Sequence, residues 1–97
     1  MPTYILLGHY TDQGIQKVKD TVKRLESVRA LATKVGATIK EAYWTLGEYD
    51  VVAIVEAPDH AAMTALGLSI GALGNVRTET LPAFTAAEIG PILKRVG

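Results

Sequence analysis

An α+β fold, with two helices laid on one face of a four-stranded antiparallel sheet, is what this chain of 97 residues predicts. Two proline-free runs rich in aliphatic and aromatic residues, Lys40 to Leu46 and Val51 to Ala57, flank Gly47-Glu48-Tyr49-Asp50 and read as a β-hairpin. A long stripe of apolar residues at helical spacing precedes the hairpin, and a second helical stretch follows it. With a β-branched run near each end of the chain, the order becomes β-α-β-β-α-β.

The first strand is expected over Thr3 to Tyr10, where β-branched and aromatic residues show no helical period and Thr11-Asp12-Gln13-Gly14 punctuates the end. From Ile15, apolar residues fall at Val18, Val22, Leu25, Val28, Leu31, Ala32 and Val35. These spacings of three and four draw one stripe along a single helix of about 20 residues, with Gly36 as its left-handed stop. In the hairpin the predicted register sets Leu46 against Val51, Trp44 against Ala53 and Ala42 against Val55 on one wholly apolar face. On the other it sets Thr45 against Val52, Tyr43 against Ile54 and Glu41 against Glu56.

Pro58-Asp59 stops the third strand, and the aspartate caps a helix from about His60, whose apolar side carries Met63, Leu66, Ile70 and Leu73 and which ends at Gly74-Asn75. Gly67 and Gly71 within it indicate close packing at some cost in helix stability. Val76 to Leu81 reads as a fourth, edge strand closed by Pro82. Thr85-Ala86-Ala87-Glu88 matches a capping box that opens a C-terminal helix, with Ile89, Ile92, Leu93 and Val96 expected inward and Pro91 expected to kink it or divide it into two turns.

This order is the ferredoxin-like split βαβ pattern, and right-handed crossovers place both helices on the same face of the sheet. The apolar hairpin face belongs beneath them. The opposite face is left bare: Tyr43, Val52 and Ile54 point there, joined from the first strand by Ile5, Leu7 and His9 or by Tyr4, Leu6 and Tyr10. An apolar patch of that size predicts a second copy, sheet on sheet, related by a two-fold axis. The predicted Glu41–Glu56 pair would need water, a cation or a basic partner such as Arg77, so a polar cavity is expected at one end of that interface.

Composition narrows the function classes. Ten basic residues balance ten acidic ones and the apolar share is 48%, so neither a nucleic-acid partner nor a membrane partner is expected. The basic residues from Lys17 to Lys34 are read as the solvated face of the first helix. Absence of cysteine removes disulfides, thiolate metal sites and thiol nucleophiles. The N-terminal apolar run is too short for a membrane span and has no basic leader, which sets cytoplasmic localisation as the expectation.

The stretch Thr45-Leu46-Gly47-Glu48-Tyr49-Asp50-Val51-Val52 resembles the G-x-Y-D element of the GYD family. Tyr10 to Gly14, Glu56 to Asp59 and Gly74 to Phe84 agree with that resemblance, which covers nearly the whole chain. It implies a place among the dimeric α/β barrels of the ferredoxin-like group. That wider group includes cofactor-free monooxygenases, lactone isomerases, haem enzymes and ligand-binding regulatory domains. No settled activity or catalytic set comes with the family, and fold alone does not choose among these.

Candidate site residues are His9, Thr11, Tyr43, Tyr49, Asp50, Glu56 and Arg77. Tyr49 on a hairpin tip can reach a neighbouring subunit with Asp50 orienting its phenol; the structural alternative has Asp50 satisfying turn amides and Tyr49 packing at the interface. His9 is a general base if it faces the cavity. With His60 on the opposite face, it makes a poor metal site alone, and no metal or cofactor is expected. Thr11, Thr78 and Thr80 offer hydroxyls, and Arg77 a clamp for an anion. Gly67 to Gly74 lacks the Gly-Lys-Ser/Thr ending of a phosphate loop, and neither Ser27 nor Ser69 has a nucleophile elbow. Three functions fit: a homo-oligomer binding a small apolar or aromatic molecule between subunits, a cofactor-free monooxygenase or isomerase using the same cavity, or a structural or regulatory oligomerisation module.

Overall fold

A computed structural model describes residues 1–97. Its elements are β1 (Thr3–Tyr10), α1 (Asp12–Gln16), a 3-10 turn (Val18–Asp20), α2 (Thr21–Lys34), β2 (Thr38–Trp44), β3 (Val51–Glu56), α3 (His60–Ala72), β4 (Val76–Ala83) and α4 (Ala86–Leu93). The strands form one antiparallel sheet in the order β2-β3-β1-β4, the ferredoxin-like arrangement. Burial alternates along β1, with Tyr4 and Leu6 buried and Ile5 and Leu7 half-exposed. Tyr4, Leu6, Ile39, Ala53 and Val55 of the sheet meet Ala32 of α2 and Met63, Leu66 and Ile70 of α3 in the core. Both long helices therefore lie on one face.

The single helix expected from Ile15 to Val35 is two helices joined by a 3-10 turn. The chain breaks at Lys17 (φ −119°, ψ 41°). Thr11 caps α1 by accepting the Gly14 N–H at 3.0 Å, and Gly14 is pressed so closely on Asn75 that a Cβ there would stand 1.9 Å from the Asn75 carbonyl oxygen. With α1 pinned to the start of β4, the chain must turn before α2 can run along the sheet. Arg24 donates to the Gly14 and Lys17 carbonyls beside the break, the second of which also accepts the Asp20 N–H. Leu25, Val28, Leu31 and Val35 pack on the core, whereas Ile15, Val18 and Val22 at the start of the stripe are exposed. Gly36 takes the left-handed stop at φ +77°.

The hairpin register differs from the expected one by two residues. Trp44 faces Val51, Tyr43 faces Val52, Ala42 faces Ala53 and Glu41 faces Ile54; a bulge at Lys40 then sets Ile39 against Val55 and Thr38 against Glu56. Thr45 to Asp50 form the loop, and Asp50 closes it from both sides: its carbonyl accepts the Thr45 N–H at 2.9 Å and its own N–H donates to the Gly8 carbonyl of β1 at 2.9 Å. The face assignment of Ala42, Trp44, Val51, Ala53 and Val55 survives the shift, since two residues preserve parity. Leu46 does not pack beneath the helices but stands fully exposed in the loop. Glu41 and Glu56 are not partners either; the bulge brings Lys40 to Glu56 at 3.6 Å, and the like-charge pair that called for a cation or Arg77 never forms.

At the C-terminal end, β4 runs through Pro82 to Ala83. Thr85 and Glu88 form the reciprocal capping box, and one helix continues across Pro91. Most of its apolar side does not face inward: Ile89, Leu93 and Val96 are exposed, as is Phe84 before it, and of the four residues expected inward Ile92 alone is half-buried. The helix leaves the sheet's end and extends the chain to a longest dimension of 50 Å.

Candidate functional site

The sheet face away from α2 and α3 is the candidate site. Strand pairing aligns its residues in rows across the sheet: Tyr43, Val52, Leu7 and Glu79 in one, and Glu41, Ile54, Ile5 and Leu81 in the next. Ile5, Leu7, His9, Val52 and Ile54 are half-buried, and Leu81 is 46% exposed. An aliphatic strip thus crosses the middle of a surface that nothing in the chain covers. The parity of β1 is settled in favour of Ile5, Leu7 and His9.

Polar groups gather where this face meets the hairpin loop. His9 stacks edge-on against Tyr49 with ring centroids 4.7 Å apart, Tyr49 donates weakly to Glu79 at 3.4 Å, and Arg77 lies opposite His9 in the ladder. Desolvation of the Tyr49 ring raises its phenol above the ordinary range, and the negative charges of Glu79 and Glu48 raise it further. At neutral pH Tyr49 is therefore a hydrogen-bond donor and not a phenolate base. On the β2 edge Tyr43 donates to Glu41 at 2.7 Å, and that bond, with the carboxylate charge behind it, raises the Tyr43 phenol as well.

Other candidates are engaged in holding the backbone. The Asp50 carboxylate accepts the Tyr10 N–H at 2.9 Å, while the Tyr49 hydroxyl bonds elsewhere, so the aspartate does not orient the phenol. Thr11 caps α1 and donates to the Gly74 carbonyl. Glu56 sits at the far end of the sheet with Lys40. Of the seven candidates, His9 and Tyr49 touch, and Arg77 neighbours His9 across the ladder while also bordering the groove beside α3; Thr11 and Asp50 support that end from within, and Tyr43 and Glu56 stand apart.

Two features escaped sequence reasoning. Glu79 completes the polar end because β4 pairs it with Leu7, a relation that only the parity of β4 reveals. On the helix side, the buried Tyr4 hydroxyl bonds His60 Nδ1 at 2.6 Å, at one end of a groove of about 630 Å³ between α3 and β4 bordered by Gly67, Gly71, Thr78 and Thr80. His9 and His60 thus occupy opposite faces of the sheet.

The family model described as the GYD domain matches residues 4–93. A relative from Thermus thermophilus, named glutamine synthetase and cystathionine beta-lyase binding protein, is 35% identical over 95 residues, covering 97% of this chain and 100% of its own length. Among solved structures, FFRP-DM1 superposes with a TM-score of 0.62 at 22% identity over 87% of this chain and 100% of its own, a likeness of fold alone. A second solved structure, of a protein from Thermus thermophilus, gives a TM-score of 0.57 at 27% identity over 89% of this chain and 96% of its own.

Proposed function

This chain belongs to the GYD domain family, and on that premise we propose that it is a self-associating binding protein: two copies meet through their open sheet faces, and the assembly docks on other proteins. The observation that carries this reading is the bare strip of Ile5, Leu7, Val52, Ile54 and Leu81 on a sheet whose other face is closed by helices. Burying that strip against its own copy removes apolar area from water at roughly 25 cal/mol per Å², and a two-fold axis makes one patch serve both partners. The related Thermus protein is named for binding glutamine synthetase and cystathionine beta-lyase; by similarity, the partners proposed here are enzymes of that kind.

Static bonding favours a binder over a catalyst. Asp50 is committed to the Tyr10 amide and the Tyr49 hydroxyl points to Glu79, which separates the Tyr49-Asp50 couple that a monooxygenase or isomerase would draw from this loop. A second reading rests on the His9, Tyr49, Glu79 and Arg77 cluster: in the dimer it becomes the polar end of an inter-subunit cavity for a small apolar or aromatic molecule.

The test is sedimentation of the purified chain together with surface-immobilised binding to glutamine synthetase and cystathionine beta-lyase from the same source. Dimers that Ile54→Arg converts to monomers, and saturable binding to either enzyme, are expected. A monomeric wild type, or an Ile54→Arg variant that self-associates unchanged, refutes the face contact; no binding to either enzyme refutes the partner assignment.

A further inference from the structure

A second contact surface lies at the open edge of β4, the last strand of the sheet. Thr11 N–H donates to the Asn75 carbonyl at 3.1 Å. Continuing the antiparallel alternation from that bonded pair turns the backbone groups of Arg77, Glu79, Leu81 and Ala83 toward β1, and those of Val76, Thr78, Thr80 and Pro82 toward the free edge. Pro82 fits this phase, because a residue without an N–H sits at the edge at no cost to the ladder. Val76, Thr78 and Thr80 remain as unpaired outward donors and acceptors, the usual template for adding a strand.

We propose that β4 pairs edge to edge with β4 of a second copy, about a two-fold axis passing at Thr78, so that the two sheets become one. The charges select both the occupant and the register. Centring the axis on Arg77 sets that cation against itself, and centring it on Glu79 does the same for the anion; like charges directly opposite are destabilising. Centring it on Thr80 places Pro82 across from Thr78 and wastes a donor. With the axis at Thr78, Arg77 of each copy faces Glu79 of the other, twice by symmetry, in the closely spaced non-hydrogen-bonded positions. Neither residue has an ion pair within its own chain, where the salt bridge is Lys40–Glu56, and both are exposed.

Helix α3 corroborates the approach. Gly67 and Gly71, one turn apart in its interior, each weaken the helix relative to alanine, yet nothing in the chain requires them. A Cβ at Gly71 would meet no atom within 4 Å, and one at Gly67 only the Thr78 hydroxyl at 4.0 Å. Both border the groove beside β4, where the α3 of a second copy arrives across the same axis. This contact leaves the open sheet face free and stands independently of the face-to-face reading; together the two interfaces build an assembly of dimers.

The experiment is sedimentation of the full chain at low ionic strength with reciprocal charge variants. Arg77→Glu and Glu79→Arg, each turning two attractions into two repulsions, are expected to weaken edge association roughly tenfold or more. An equimolar mixture of the two is expected to recover it, because every crossing is then attractive. Two single variants that assemble like the wild type, or a mixture that fails to recover, overturn the proposal. The chain has no cysteine, so Thr78→Cys introduces a sole thiol; a short bismaleimide joins two copies there and not at Thr80→Cys, and the reverse pattern overturns the register. Ile54→Arg separates the two interfaces: loss of the face contact alone leaves the Thr78→Cys cross-link in place.

Discussion

Replacing Asp50 tests whether the aspartate of the G-x-Y-D element is a structural acceptor. Its carboxylate takes the Tyr10 N–H at 2.9 Å, its own N–H reaches the Gly8 carbonyl and its carbonyl receives the Thr45 N–H. Only the first of these is lost on truncation to alanine. The Tyr10 amide is then left half-buried without its charged acceptor, at a cost of ~2 kcal/mol. For a domain of this size each kcal/mol shifts Tm by ~4–8 °C, so Asp50→Ala is expected to melt ~8–16 °C below the wild type. Asp50→Asn keeps an oxygen in place and loses the charge assistance, about half that penalty. Far-UV circular dichroism melts at one fixed protein concentration give the comparison, since self-association shifts Tm by mass action. An alanine variant that melts with the wild type, or an asparagine variant as damaged as alanine, refutes the structural assignment.

Gly14→Ala drives a Cβ against the Asn75 carbonyl and is expected to destabilise by ~3 kcal/mol, read as a lowered denaturant midpoint; a neutral substitution would show that α1 is not pinned to β4. Tyr49 is raised first by desolvation and then by Glu79 and Glu48, so its stabilising contribution is complete below the ordinary phenol pKa and lost as pH rises through the folded value. Ultraviolet titration of the wild type minus Tyr49→Phe isolates this phenol, and Glu79→Gln should bring its midpoint down; an unmoved midpoint contradicts the contact. Glu88 is lowered chiefly by the backbone hydrogen bond from Thr85, so the capping box holds above the ordinary carboxylate pKa and fails as pH falls through the depressed value. Carbon-detected NMR titration of Glu88 should show that low midpoint, and a midpoint at or above the ordinary one refutes it.

Local chemistry explains which features were legible beforehand. Thr3 to Tyr10 is a strand as expected, Asp59 and Thr85 cap their helices, and Gly36 takes positive φ, because each depends on a few neighbouring residues. Parity within the hairpin is equally local, so the sequence puts Val52, Ile54 and Tyr43 on the open face. The register is not, because Asp50 is anchored on β1, forty residues away in sequence, and that anchor fixes where the loop closes. The polar end of the site shows the same division: His9 and Tyr49 were named from residue type, whereas Glu79 joins them only through the pairing of β4 with β1.

Sequence alone determined the order of the strands and main helices, the caps at Asp59 and Thr85, the faces of the hairpin residues and the existence of an uncovered apolar face, all consequences of side-chain period and backbone preference. The tertiary structure decided where the first helix breaks, how the hairpin slides, which carboxylates find partners and that α4 leaves most of its apolar side exposed. Those outcomes are contests between distant groups for the same hydrogen bonds and the same space, and such contests leave no mark in a local window of residues.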